Sequence, residues 1–200
     1  MATSLLTLTE AGPAPRRAAE LETARLRLRA FDESDLDDLC RVTADPEVVR
    51  FIGDGHMLTR EEMAASLTSI MSAFRRRGFG RWALVEKATG ALLGYCGLSV
   101  PVGQQGVELV YMLARAAWGR GLATEASEAV LRYAFEEMGV ERVSAFTMPD
   151  NARSRRVLER LGMEYLSDGI YAGYACVCYA LERALWRPGP GLYRLRRGAE

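Results

Sequence analysis

The stretch that decides the fold runs Val107-Glu-Leu-Val-Tyr-Met-Leu113, through Ala114-Arg-Ala-Ala117, into Trp118-Gly-Arg-Gly-Leu-Ala-Thr-Glu-Ala126. The first seven residues are apolar and β-prone and predict a strand. From about Ala123 to Met138 the spacing turns helical, and Gly139 closes the helix. The Gly-rich turn between them aims unpaired backbone N–H groups and the positive helix end at one point. That arrangement is an anion cradle, and a pyrophosphate is its natural guest. Gly119 and Gly121 admit backbone angles and a close approach that a side chain would block. No Gly-x-x-x-x-Gly-Lys-[Ser/Thr] run is present, and the strand closes a meander instead of opening a βαβ unit. The turn is therefore neither a Walker loop nor a dinucleotide fingerprint.

Toward the N-terminus, Trp82–Glu86 and Leu92–Val100 flank the turn Ala88-Thr-Gly90 and predict a hairpin, which Pro101–Gly106 connects to the strand at Val107. Arg25-Leu-Arg-Leu-Arg-Ala-Phe31 alternates charge and apolar side chain, as a strand with one face on a core does. Asp32-Glu-Ser34 supplies caps for a helix through Leu36, Leu39, Cys40 and Val42, and Asp45-Pro46 opens a further helical turn. Thr59-Arg-Glu-Glu62 fits a capping box ahead of Met63, Leu67, Ile70, Met71 and Phe74, giving an amphipathic helix to Gly78. Toward the C-terminus a strand is expected at Arg142–Thr147, a short helix from Asn151 to Leu161, and closing strands at Met163–Ser167 and Ala175–Leu181. Residues 1–20 read as a loose tail, 21–186 as one domain, and 187–200, with four arginines, as a solvated basic extension.

With 200 residues, 49% hydrophobic, 26% charged and a formal net charge of zero, the chain is excluded from the disordered polyelectrolytes and has no overall pull on nucleic acid or anionic lipid. No run approaches the roughly 20 apolar residues of a membrane span, and the start lacks the pattern of a secretory signal. A cytoplasmic protein acting on a small molecule or a local protein surface is the expectation. Cys40, Cys96, Cys176, Cys178 and the sole histidine, His56, form no metal-ligand spacing and no Cys/His or Ser/His pair. Cys176 and Cys178, two apart on a strand, read as buried thiols, and His56 as a solvated loop residue.

Five stretches, in order across residues 21–185, carry a resemblance: Leu21-Glu-Thr-Ala-Arg-Leu-Arg-Leu-Arg29, Asp45-Pro-Glu-Val-Val-Arg-Phe51, Glu108-Leu-Val-Tyr111, Trp118–Ala126 and Asn151-Ala-Arg-Ser-Arg-Arg-Val-Leu-Glu-Arg-Leu-Gly162. On them the chain resembles the GNAT superfamily of acyl-CoA N-acyltransferases, and within it the RimJ/RimL-like branch. The resemblance implies an α/β (α+β) GNAT fold: a mixed, mostly antiparallel seven-stranded sheet flanked by helices, with a V-shaped opening between the fourth and fifth strands. It further implies acetyl-CoA as acyl donor, no metal, and direct attack by a primary amine, of a protein N-terminus or a small molecule, in a ternary complex. The backbone near Met112 and Leu113 would pair with the pantetheine amides. The N–H groups of Gly119, Arg120, Gly121, Leu122, Ala123 and Thr124 would hold the pyrophosphate, and Asn151 would bond the cofactor arm.

Two positions depart from the family's pattern. Ala116 replaces a common Gln or Arg, and Leu158 stands where many relatives carry a tyrosine general acid; Ser154, which with Asn151 matches the family's second, cofactor-binding motif, is then the catalytic candidate near the expected thiol, a weak acid acting mainly as a hydrogen-bond donor. Glu108 is the candidate base; its competing reading is a strand-face carboxylate paired with an arginine. Asp150 reads as a cap for the Asn151 helix, and Glu125 as a carboxylate that would repel phosphate unless turned away. Tyr111 reads as core, and Phe79 and Trp82 as acceptor-pocket lining or core. Asp32, Glu33, Asp35, Asp37 and Asp38 read as a solvated acidic helix start. Loops near 50–60, 74–82 and 168–174 would choose the acceptor, and a homodimer is left open. A non-catalytic acyl-CoA-binding sensor or interaction module, and a plain strand-to-helix scaffold, are the competing classes.

Overall fold

Leu26 and Leu28 are wholly buried while Arg27 is exposed, so the charge–apolar alternation makes a strand with one face on the core. This is the second strand of a computed structural model that describes residues 19–100 and 106–197. Most of the N-terminal segment and of the turn at 101–106 lies outside the described residues. The strands in chain order are β1 (Ala19–Glu22), β2 (Leu26–Arg29), β3 (Arg81–Glu86), β4 (Leu92–Ser99), β5 (Val107–Leu113), β6 (Arg142–Thr147), β7 (Glu164–Tyr171), β8 (Tyr174–Glu182) and β9 (Arg194–Arg197). They form one sheet in the order β7-β8-β6-β5-β4-β3-β2-β1-β9. Every described pairing is antiparallel except β5 with β6. The mixed, mostly antiparallel sheet agrees with the expectation, with nine strands where seven were expected.

The two further strands are β1 and β9, paired with each other at one sheet edge. The segment 187–200 was expected as a solvated extension, yet Leu195 lies opposite the buried Leu21 and packs partly buried against the core. Arg196 and Arg27 flank it with ion pairs to Glu22 and Glu20, each at 2.9 Å. Arginines alternating with one leucine read as a charged tail; the same alternation serves an edge strand that needs a single apolar contact.

The helices are α1 (Leu36–Thr43), α2 (Pro46–Val49), α3 (Arg60–Arg77), α4 (Leu122–Arg132) and α5 (Ala152–Arg160). The capping box at Thr59 and Glu62 is present, and Gly78 ends α3 in the left-handed conformation. Alternation along β3 sorts the layers. Trp82 and Leu84 join the core that contains Leu122, Val130 and Leu158 of α4 and α5, whereas Ala83 joins Leu39, Met63 and Leu67 of α1 and α3. Beyond Arg132 the expected α-helical course to Met138 loosens into a π-helical turn, Tyr133–Glu137, in which Tyr133, Ala134 and Phe135 are all buried.

Asp35 is not solvated. It is 3% exposed, accepts two bonds from Arg29 at 2.6 and 2.7 Å, and takes the N–H of Asp32. The hairpin of β7 and β8 turns tightly at Ala172-Gly173, both at positive φ, so most of the expected loop 168–174 is strand.

The position of β5, on which the site is built, depends on close backbone contact with β4. A Cβ at Gly94 would stand 2.1 Å from the Met112 carbonyl oxygen, and Gly94 has φ of 132°. Gly94→Ala is expected to lower unfolding free energy by roughly 2–4 kcal/mol, from overpacking and backbone strain together. Urea denaturation measures it, and a loss below about 0.5 kcal/mol, the surface-substitution range, would show that the strands relax freely.

Candidate functional site

The parallel pair β5–β6 holds register only at Val107↔Val143 and Glu108↔Ser144. Beyond these residues the strands part, leaving an opening toward their carboxyl ends. Helices α4 and α5 begin there, which is where open α/β sheets place ligands. β5 and β6 correspond to the fourth and fifth strands of the expected seven, and the opening lies between them.

Helix α4 starts at Gly121 without a side-chain cap, so the first-turn N–H groups of Leu122, Ala123 and Thr124 meet no capping oxygen. Gly119 and Gly121 have φ of 73° and 75°, values that a side chain resists. A Cβ would meet nothing within 4 Å at Gly119, and only an Arg25 nitrogen at 3.6 Å at Gly121. The arrangement can receive an anion. Arg120 turns outward to pair with Glu86, so its backbone and not its side chain faces this role.

Glu125, in the same first turn, is turned away. Its Oε1 accepts from the Thr23 hydroxyl at 2.5 Å and the Arg25 N–H at 2.9 Å, and its Oε2 accepts from Arg25 Nε at 2.6 Å. Burial pushes this carboxyl up, but the Thr23 and Arg25 hydrogen bonds outweigh it and hold it below the usual range. Arg25 Nη1 also donates to the Arg120 carbonyl at 2.8 Å. The turn before β2 is thus clamped to the Gly-rich loop, a contact between residues about a hundred apart that local sequence reading did not supply.

Glu108 is 6% exposed. It has no ion pair among the described residues, so the reading that made it an arginine's partner is not what the geometry shows. The Tyr171 hydroxyl donates to Glu108 Oε1 at 2.9 Å, and Tyr171 stacks on Phe146 with ring centroids 4.1 Å apart. Burial pushes the Glu108 carboxyl above the ordinary glutamate range, against the opposing pull of Tyr171, Ser99 and the Arg81 charge. A raised carboxyl pKa at the vertex of an opening suits proton acceptance. Tyr171 was not singled out in the sequence; its only signal was its place in the segment 168–174.

Asn151 is itself the N-cap of α5, its Oδ1 accepting from Ser154 N at 3.1 Å. Asp150 therefore does not cap this helix, and Asn151 keeps its Nδ2 donors and one Oδ1 lone pair for a further partner. Ser154 Oγ lies 2.9 Å from the Tyr111 hydroxyl, which places Tyr111 in a polar contact and not simply in the core. Leu158 is 1% exposed in the core, and no proton donor stands in its place.

The bonds Ala114 N to Leu93 O and Leu98 N to Gly80 O fix the alternation of backbone groups across β4 and β5. By that alternation Met112 turns its N–H and C=O toward β4, which corrects its expected cofactor role. Those of Tyr111 and Leu113 face the parted side, where the Leu113 carbonyl already accepts from Trp118 Nε1 at 2.8 Å. The Arg153 guanidinium lies over the Trp118 ring, 4.6 Å from its centroid, tying the turn to α5.

Other candidates fall away. Trp82 is wholly buried and meets Phe74 and Tyr133 edge-on, and Phe79 joins the same core, which is the core arrangement of the two expected. His56 is exposed with Nε2 3.6 Å from Glu62 Oε2. Cys176 is buried on β8 and Cys178 half-buried. Among the described residues no group of three or more His, Cys, Asp or Glu side chains could hold a metal ion, and no helix is long and apolar enough to cross a membrane.

Residues 25–164 match the family described as Acetyltransferase (GNAT) domain. The chain is similar to an uncharacterized N-acetyltransferase p20 of Bacillus licheniformis, 29% identical over 156 residues, covering 77% of this chain and 86% of that protein. It is also similar to the FsC-acetyl coenzyme A-N(2)-transacetylase of Aspergillus fumigatus, 31% identical over 155 residues, covering 73% of this chain and 65% of that protein. In fold it resembles the crystal structure of a GNAT-family acetyltransferase from Bacillus anthracis, with a TM-score of 0.73, 24% identity, and coverage of 82% of this chain and 99% of that one.

The raised pKa of Glu108 has a consequence for stability. Between the unfolded glutamate value, about 4.3, and the higher folded value, the native state holds more protons than the unfolded one, so native stability falls as pH rises through that window. Glu108→Gln cannot ionise. The unfolding free energy of the variant minus that of the native protein should rise through the window and level off above it. Urea titrations of both proteins across pH measure it, and a difference independent of pH would show that Glu108 is not desolvated.

Proposed function

The chain belongs to the GNAT acetyltransferase family and is an acyltransferase enzyme, and from that premise we propose that it transfers the acetyl group of acetyl-CoA to a primary amine by direct attack in a ternary complex. The observation that carries this reading is the parting of β5 and β6 directly beyond Glu108, in front of the uncapped start of α4. The pyrophosphate would lie on the N–H groups from Gly119 to Thr124. The pantetheine arm would enter the opening along the parted side of β5, with Leu113 N–H and the Tyr111 backbone in reach and Asn151 Nδ2 on the far side.

Alternation along β5 assigns the two proton-handling groups to opposite faces. Met112, an even position like Glu108, packs with Val42 and Val48 of α1 and α2, whereas Leu109 and Leu113, odd positions like Tyr111, pack with the α4 and α5 core. A thioester threaded through the opening would meet the amine near Glu108 and release its sulfur near Ser154. The amine nitrogen attacks the carbonyl carbon, the C–S bond breaks with its electron pair going to sulfur, and the nitrogen's proton passes to the Glu108 carboxylate. The name of the A. fumigatus relative, an acetyl coenzyme A transacetylase acting at a nitrogen, supports this choice of donor. The five stretches that carry the family resemblance also carry the resemblance to the RimJ/RimL-like branch, in which a protein N-terminus would be one acceptor class beside small-molecule amines.

Freeing a lysine-like amine at pH 7 from a reference near 10.4 costs about 4.6 kcal/mol, against roughly 1 kcal/mol for an α-amine near 7.7–8.0. Glu108→Gln should therefore slow CoA release near neutral pH, more for lysine-like than for α-amines. The defect should shrink as pH approaches the acceptor's own pKa. Steady-state pH–rate profiles with both amine types measure this, and an equal defect at every pH with both would remove Glu108 as the base.

A further inference from the structure

We propose that Tyr111 is a positioning residue that sets the direction of the Ser154 hydroxyl, so that Ser154 donates to the departing CoA sulfur in place of the side chain that Leu158 lacks. The inference rests on the transferase reading and extends it to a side chain that touches neither substrate directly. The Tyr111 hydroxyl lies 2.9 Å from Ser154 Oγ and 3.3 Å from the Ser154 carbonyl oxygen. Its own oxygen arrives from β5, and Ser154 belongs to the first turn of α5, so this pair spans the two sides of the opening.

A serine hydroxyl has one hydrogen. If Ser154 points it at sulfur, its oxygen needs a donor to remain satisfied, and the only one at hand within 3.5 Å among the described contacts is the Tyr111 O–H. The single Tyr111 hydrogen has two acceptors in reach, Ser154 Oγ at 2.9 Å and the Ser154 carbonyl at 3.3 Å, and the shorter contact favours the hydroxyl; Tyr111 donating to Ser154 Oγ, and Ser154 donating onward, is then a two-membered chain in which each bond strengthens the next. Without it Ser154 is free to turn its hydrogen back toward Tyr111. Burial raises the Tyr111 pKa well above the ordinary tyrosine value, so the phenol keeps its hydrogen across the working range. No net proton leaves either hydroxyl. The electron pair of the broken C–S bond stays on sulfur, stabilised by the Ser154 hydrogen bond, and the thiolate of CoA takes its proton from solvent on release.

The test is a double-mutant cycle on the full-length protein with acetyl-CoA and an amine that the native protein acetylates. Ser154→Ala should lower kcat about a hundredfold, in the range of losing one donor to developing negative charge. Tyr111→Phe, which keeps the ring, should lower kcat about tenfold, in line with losing a hydrogen bond of roughly 1.4 kcal/mol, with KM for acetyl-CoA within a factor of two. The double variant should be no slower than Ser154→Ala alone, because Tyr111 acts only through Ser154. Losses that multiply, or a Tyr111→Phe defect confined to KM, would overturn the assignment. 3-Fluorotyrosine at position 111 retains the hydroxyl as a stronger donor and should hold kcat at or above the native value; a drop to the level of Tyr111→Phe overturns it equally, and covers the case in which Tyr111→Phe does not fold. If the native protein binds acetyl-CoA but releases CoA with no amine, the transferase reading itself fails, and that result is visible before any variant is made.

Discussion

Among the described residues the ladder between β5 and β6 holds two residue pairs, Val107 with Val143 and Glu108 with Ser144, and the site depends on where that ladder stops. A parallel pair continued to Leu113 and Thr147 would satisfy its own backbone groups and close the sheet. Ended early, it leaves the outward N–H and C=O groups of Tyr111 and Leu113 facing space instead of a strand. An extended ligand carrying amides can complete such an edge, which is the property that the proposed pantetheine arm would use. The β6 side is held meanwhile by its antiparallel partner β8, in register from Arg142 to Thr147, so the opening does not loosen the sheet beyond it.

The start of α4 faces opposing demands. An anion site needs N–H groups without caps, whereas Glu125 in that turn would be stabilised by occupying them and would then exclude phosphate. Thr23 and Arg25 resolve this by taking both carboxylate oxygens, and Arg25 holds the Arg120 carbonyl with the same guanidinium. The charge that could close the site instead fastens β2 to it. Glu86 does the same for the Arg120 side chain.

Local pattern was sufficient for most of the fold. The alternation at 25–31, the capping box at 59–62 and the strand, turn and helix at 107–138 each depend on residues within a few positions of one another, and each is present. What local pattern missed is long-range or conditional. β9 forms because Leu195 finds Leu21, and the helical spacing that runs to Met138 does not mark the π-helical turn at Tyr133–Glu137. At the site, Glu108 and Asn151 were visible as motif residues. Tyr171 was not, because its contact with Glu108 is made by a hairpin tip 63 residues away. Tyr111 was read as core because an aromatic residue on a strand usually is, and the sequence does not show that its hydroxyl meets Ser154. For Met112, alternation is itself the signal: only every second residue of β5 can turn its backbone toward the opening.

The distribution of thiols favours direct transfer over a covalent acyl-enzyme. A ping-pong route needs a nucleophile that is ionised or paired with a base. Cys96 is wholly buried against the Ser127 hydroxyl with its pKa pushed up to about 12, and burial also raises Cys176 and Cys178. Cys40 packs half-buried against the cluster of Leu39, Met63 and Leu67, and the exposed single histidine lies beside Glu62. What the site does contain is a desolvated carboxylate on one face of β5 and a hydroxyl pair on the other. Separation of this kind suits one concerted passage through the sheet, in which the nucleophile loses its proton on the side it enters and the leaving group is stabilised on the side it exits. Were both groups on one face, the amine and the departing thiolate would compete for the same space, and the Glu108 carboxylate would oppose the negative charge growing on sulfur.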